Sequence, residues 1–212
     1  MKNSDRLRYP ILMIPGPTEL SDDVRRRCGG EVPPHYDAQT GCPEFYLRLT
    51  EKMKPIFGLV DGDVIIANGS GSVAVNMMLA SVCTGDDEVL ILDNGAFGAY
   101  AAKNCRALGI PFSTVKGAWG TAIDPDRVRD AMRTKRRPFI YMTHNESSTA
   151  VVNPIPPVGA IAREFDALLL SDSVSALGGI SIDMGESGAD IVAGASQKCL
   201  ELPPGLAPVG VS

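Results

Sequence analysis

Three short segments of this chain hold residues whose types and spacing could do chemistry. The first is Asn68-Gly69-Ser70-Gly71-Ser72, which follows a β-branched run and opens a helical pattern. A strand-to-helix turn of this kind aims free backbone N–H groups and the positive helix end at one point. Its glycines permit close approach and its serines add hydroxyl donors, which suits a phosphate. The turn has neither the Gly-Lys pair of GxxxxGK[ST] nor the spacing of GxGxxG, so the usual signatures of ATP hydrolysis and dinucleotide binding are missing. The second is Asp172, at the end of the apolar segment ALLLS (167 to 171), where a carboxylate is costly unless it meets a cation or a strong donor. The third is Lys198, in GASQKCL (194 to 200), again just past an apolar segment. Each has an ordinary alternative: a glycine-rich turn without a ligand, an aspartate capping the turn SDSVS, a lysine on a surface loop. Their combination is more specific than its parts. A phosphate anchor, a carboxylate able to hold a ring nitrogen protonated and an amine able to form a Schiff base occur in one chain, in that order.

These residues need a frame that brings them to one place. From residue 63 the chain alternates short apolar segments with helical patterns. The segments are DVIIA (63 to 67), EVLIL (88 to 92), PFSTV (111 to 115), PFIYM (138 to 142), ALLLS (167 to 171) and DIVAG (190 to 194). Helices are predicted over 72 to 83, 97 to 108, 124 to 133 and 157 to 165, with Asp124 as an N-cap and Gly85 and Gly109 as stops. Upstream, Ser21 opens a short polar helix that stops at Gly29-Gly30, and apolar positions 45, 49, 53 and 56 repeat at helical spacing. This pattern predicts an α/β three-layer sandwich with a largely parallel sheet, in one domain spanning 1–212. In such folds ligands bind at the carboxyl ends of the strands, which is where the three segments fall.

Composition narrows the function classes. The chain is 44% hydrophobic and 21% charged, ordinary for a globular domain, and its net charge of −5 gives no basis for a nucleic-acid or anionic-membrane partner. The basic cluster Arg133 to Arg137 reads as a solvated helix end. Five cysteines without a CxxC pair favour the reducing cytoplasm over a disulfide scaffold. Neither a signal-peptide h-region nor an apolar run of about 18 residues is present.

The segments IPGPTEL (14 to 20), NGSGS (68 to 72), NGAFG (94 to 98), THNESSTA (143 to 150), SDSVSALGG (171 to 179) and GASQKCLELPPGLAPVGVS (194 to 212) closely resemble class V, fold type I aminotransferases, which use pyridoxal 5′-phosphate (PLP). The pattern is shared by alanine–glyoxylate, serine–glyoxylate, 2-aminoethylphosphonate–pyruvate and pyridoxamine–pyruvate enzymes. The resemblance implies that Ser70, Gly71 and Ser72 hold the cofactor phosphate with help from Gln197. It also implies that Phe97 stacks on the pyridine ring, where several members have tryptophan. Ser147 would lie near the ring hydroxyl, Asp172 would pair with the ring nitrogen, and Lys198 would carry the Schiff base. The 26-residue interval from Asp172 to Lys198 agrees with that pattern. It further implies a homodimer acting on a small amino acid, alanine or serine, and a 2-oxo acid, glyoxylate or pyruvate. A 2-aminoethylphosphonate–pyruvate transaminase is the alternative, suggested by NGAFGA, by NP after the ESSTA turn and by KCL before a PG turn. So is a PLP-binding fragment that is catalytically incomplete.

Taken singly, Phe97 could be a core aromatic, and Ser147 and Thr149 could simply satisfy a turn. His144 and Glu146 form HNE, faintly like the HxE of zinc deaminases, but without CxxC no metal site is expected. His35 approaches the site in some relatives. Two departures from the family stand out. Its usual glycine after HxESST is Ala150 here, and the chain ends at Ser212, before the small C-terminal domain that relatives carry. No arginine follows Arg163 to clamp a substrate carboxylate, so residues 1–212 alone are not expected to transaminate efficiently.

Overall fold

The computed structural model describes residues 13–30 and 42–212, apart from the side chain of Cys42; His35 lies outside the described residues. In chain order the elements are α1 (Asp22–Cys28), α2 (Cys42–Phe57), β1 (Asp63–Gly69), α3 (Gly71–Val82), β2 (Val89–Asp93), α4 (Ala96–Leu108), β3 (Phe112–Lys116), α5 (Pro125–Thr134) and β4 (Phe139–Thr143). They continue with β5 (Asn145–Glu146), β6 (Val151–Val152), α6 (Ile155–Glu164), β7 (Leu168–Asp172), α7 (Met184–Ser187), β8 (Ile191–Ala193) and β9 (Gly205–Val211).

Seven strands form one sheet in the order β1-β9-β8-β7-β4-β2-β3. The pairs β8·β7, β7·β4, β4·β2 and β2·β3 are parallel, while β9 runs antiparallel to both its neighbours. Alternation along each strand sets the layers. Val89, Ile91, Phe139 and Tyr141 face α3 and α4, packing with Val75, Met78, Leu79 and Cys105. Leu90, Leu92, Ile140 and Met142 face the opposite way, onto Val128 and Met132 of α5 and Val158 and Ile161 of α6. The result is the expected mixed α/β three-layer arrangement around a mostly parallel sheet.

The six predicted strands all form, each beginning within one residue of its expected start. The caps follow their chemistry. Ser21 accepts from the Val24 N–H, Asp124 accepts from the Asp126 N–H, and Gly109 ends α4 in the left-handed region. At α3 the expected stop moves: Cys83 is the C-cap, and Gly85 sits two residues beyond it.

Strand β9 and the β5–β6 ribbon are additions to the predicted elements. The segment PPGLAPVGVS reads as loop because of its prolines and glycines, yet it lies inside the sheet. Pro208 is tolerated there because it falls past the end of β8, where only its carbonyl is needed to accept the Gly194 N–H. On the open side of β1, the Tyr46 hydroxyl accepts the Ile66 N–H and occupies one donor of that edge.

Candidate active site

The register aligns Thr143, Asp172 and Ala193 across β4, β7 and β8, and Gly69 with Gly205 across β1 and β9. An open pocket lies at this carboxyl edge, and Gly71, Ser72, Phe97, Ser147, Asp172 and Lys198 all line it. Six of the eight residues singled out from the sequence therefore meet at one place. The other two, Ser70 and Gln197, adjoin lining residues in sequence but are not part of the wall. Tyr100, Thr143, Asn145, Val174 and Ser175 also line it; all but Tyr100 lie within the segments THNESSTA and SDSVSALGG, but none was assigned a role from the sequence.

Each wall segment is held by local chemistry. Ser70 is the N-cap of α3 but makes no side-chain capping bond. The first turn of that helix leaves the N–H groups of Gly71 and Ser72 without intrahelical acceptors. A side chain at Gly71 would meet Val174 at 2.7 Å and Ala195 at 3.1 Å, so only glycine lets the helix end approach the sheet this closely.

Phe97 opens α4 and is exposed along its pocket side, while its backbone is locked to the β5–β6 ribbon. The fully buried Glu146 carboxylate accepts the Phe97 N–H at 2.9 Å and the Gly98 N–H at 3.3 Å on one oxygen, and the Ser148 N–H and hydroxyl on the other. Reciprocal bonds between the Asn94 and Asn153 amides fasten the same two segments. Glu146 is thus a cap for α4. Its HNE partner His144 is buried beside Ser173, 3.3 Å away, and burial pushes its imidazole down to about 4. Among the described residues no group of three His, Cys, Asp or Glu side chains is arranged to hold a metal. Ser147 donates to the Ser175 hydroxyl at 2.8 Å, and that hydroxyl donates on to the Asn145 carbonyl.

Asp172 is 6% exposed and receives two donors, the Val174 N–H at 3.0 Å and the Tyr141 hydroxyl at 3.1 Å. Burial raises its carboxyl to about 6; the two donors and the nearby Lys198 charge pull it down, and the Glu146 charge pushes it up.

Lys198 sits in a tight turn after β8, pinned by Ser196, whose hydroxyl donates to the Pro203 carbonyl at 2.7 Å and accepts the Leu206 N–H. From the other side the segment 16 to 18 lies on this turn. The Thr18 N–H donates to the Gln197 carbonyl and its hydroxyl to the Lys198 carbonyl, at 3.0 and 2.8 Å. Gly16 has φ +135°, and a Cβ there would meet Lys198 Cδ at 2.6 Å and Nζ at 3.2 Å. Gly16, Thr18 and Tyr141 are thus site residues that the sequence reading did not assign. IPGPTEL stood out as a motif, but its contact with Lys198 exists only in the fold.

The residues present suit PLP. A buried carboxylate with two neutral donors is stabilised by a cation, and a protonated ring nitrogen would be one. The side-chain Oε1 of Gln197 is buried without a hydrogen-bond partner beside the lysine, free helix N–H groups await an anion, and Phe97, Tyr100 and Val174 provide apolar wall for a flat ring.

Comparison with known proteins agrees. Residues 44–211 match the family model for class-V aminotransferases. The chain is 32% identical over 208 residues to a serine–glyoxylate aminotransferase of Hyphomicrobium methylovorum, covering 96% of this chain and 51% of that protein. It is 31% identical to a 2-aminoethylphosphonate–pyruvate transaminase of Pseudomonas putida, with 93% and 53% covered. The crystal structure of ureidoglycine–glyoxylate aminotransferase from Bacillus subtilis superposes with a TM-score of 0.91 at 27% identity, covering 98% of this chain and 54% of that one. The chain spans about half the length of the curated relatives it matches. It belongs to the class-V aminotransferases, a family of PLP-dependent enzymes.

Proposed function

We propose that residues 1–212 are the PLP-binding large domain, with its N-terminal segment, of a cytoplasmic, homodimeric aminotransferase. The enzyme moves an amino group between a small amino acid, alanine or serine, and glyoxylate or pyruvate. The observation that carries this reading is the meeting of Lys198, Asp172, Phe97 and Ser147 with the N-terminus of α3 in one pocket.

In this reading Ser70, Gly71 and Ser72 bind the cofactor phosphate through the N–H groups and hydroxyls of the helix start, with Gln197 assisting. Phe97 would offer its face to the ring, and Ser147, already tied to Ser175, would hold the ring hydroxyl. The bound cofactor supplies an aldehyde for the substrate amine and a ring that accepts electrons from the substrate α-carbon. Asp172 would hold the ring nitrogen protonated. Lys198 would hold the aldehyde through its ε-amine and, with that amine free, would move a proton at the substrate α-carbon as general acid and base. Orientation of Lys198 falls to the turn pinned by Ser196 and to the Gly16–Thr18 segment packed on it.

The test is borohydride reduction of the PLP-treated protein followed by peptide mass analysis. A pyridoxyl group on Lys198 is expected; labelling spread over other lysines with Lys198 unmodified would overturn the assignment. The alternative, a phosphonate amino donor, rests on the 31% identity to the Pseudomonas putida enzyme. Turnover with 2-aminoethylphosphonate far above that with alanine or serine would favour it.

A further inference from the structure

One group at the pocket edge has no part in the roles above: the hydroxyl of Tyr141. This side chain is 1% exposed and belongs to the apolar layer between the sheet and the helices α3 and α4. A hydroxyl in such a layer is unfavourable unless it finds an acceptor. Strand register supplies one. Tyr141 pairs with Leu170 and Thr143 with Asp172, so Tyr141 and Asp172 are diagonal neighbours on the same sheet face, a separation that an aromatic side chain spans. The hydroxyl donates to Asp172 Oδ2 at 3.1 Å, while the Val174 N–H takes Oδ1 at 3.0 Å. The two carboxylate oxygens are thus fixed by donors from different elements.

We infer that Tyr141 is a positioning residue that acts through Asp172, fixing the carboxylate's orientation and holding it ionised for the cationic ring nitrogen of the cofactor. This rests on the assignment of Asp172 proposed above. The groups facing Asp172 divide by sign. Glu146 from β5 disfavours its charge, Lys198 from the turn after β8 favours it, and burial disfavours it most. Tyr141 itself, near Cys105 of α4, is pushed well above the ordinary tyrosine range by burial and by Asp172, so it stays a proton donor throughout the working pH range. It therefore offsets part of the burial cost without adding a charge, and cofactor binding does not require that donor to be reoriented.

Two measurements on the full protein test the inference. The first is the titration of the Asp172 carboxyl in cofactor-free protein, followed by carboxyl-carbon NMR. Loss of a hydrogen bond to a charged group is expected to move the midpoint upward by about one to two units in Tyr141→Phe. Replacing Tyr141 with 3-fluorotyrosine, a stronger donor of nearly the same shape, should move it downward, and this variant serves if Tyr141→Phe does not fold. An unmoved midpoint would overturn the inference whatever the cofactor does.

The second is a double-mutant cycle on cofactor affinity. Tyr141→Phe should weaken PLP binding by about ten-fold, and should have no further effect in an Asp172→Asn background. Equal weakening in both backgrounds would make Tyr141 a packing residue and overturn the inference. Failure of the unaltered protein to bind PLP would instead overturn the assignment of the site, and with it the role in the reaction; the titration tells the two failures apart.

Discussion

At the scale of single residues, Lys198 is a confined lysine. Its turn is pinned by Ser196 on one side and covered by Gly16 and Thr18 on the other. Gly16 tolerates no side chain on two grounds. Its φ of +135° disfavours L residues, and a Cβ would overlap the Lys198 stem. Gly16→Val is therefore expected to displace either the lysine or the covering segment and to lower borohydride-trapped PLP at Lys198 by about ten-fold or more. Thr18→Val removes one partly buried hydrogen bond, worth about 1 kcal/mol, and should have a smaller effect. Equal trapping in Gly16→Val and the unaltered protein would show that the contact is unimportant. Asp172 was legible in the sequence because it closes an apolar strand, where a carboxylate contradicts its surroundings; Lys198, five residues past the end of β8, was legible only in combination with Asp172 and the NGSGS turn and through the family resemblance. Gly16 and Tyr141 were not. A glycine before a proline reads as an ordinary turn, a tyrosine in PFIYM reads as an ordinary strand aromatic, and both acquire their meaning from partners far away in the chain.

At the scale of elements, the central strands β2, β4, β7 and β8 were legible because burial on both faces leaves nearly unbroken apolar runs, and the half-exposed edge strands β1 and β3 because short β-branched segments there lie between helical patterns and caps. The β5–β6 ribbon was not, because two-residue strands have no periodicity and this pair is organised by side chains. Glu146, Ser148 and Asn153 tie it to the start of α4 and to Asn94. The ribbon's turn also explains the departure at Ala150. This residue has φ +55°, the left-handed region that the family's usual glycine adopts freely. For alanine that conformation costs about 1–2 kcal/mol, against about 0.4–1 kcal/mol of chain entropy that glycine forfeits on folding. Ala150→Gly should thus stabilise the protein by roughly 0.5–1 kcal/mol, a rise in melting temperature of about 1–4 °C for a chain of this size. A lower melting temperature would show that the turn is not strained in solution.

At the scale of the whole molecule, placing a carboxylate on the inside of a closed α/β layer sets a cost that the rest of the fold must carry. Asp172 has its proton affinity raised from 3.8 to about 6 by burial. The folded state therefore holds this proton over a range in which the unfolded chain has released it, and the associated stability is present below 3.8 and lost as pH rises through about 6. A rise of about two units at about 1.4 kcal/mol each corresponds to about 3 kcal/mol. His144 works in the opposite sense: its imidazole is lowered from 6.5 to about 4, so its contribution is lost as pH falls through that window. The two oppose each other over nearly the same range, and the pH profile of the unaltered protein does not isolate either. The difference between the unaltered protein and Asp172→Asn does, because asparagine keeps the shape and removes the titration. Urea unfolding of the cofactor-free forms should show the asparagine variant gaining about 3 kcal/mol relative to the unaltered protein between pH 4 and pH 7. Saturating PLP should reverse that advantage at pH 7, since a cation against Asp172 recovers the burial cost while asparagine offers it no charge. Parallel curves for the two proteins across that range would mean that Asp172 is hydrated or already paired in solution, and that its carboxylate is not held in reserve for a cationic ring.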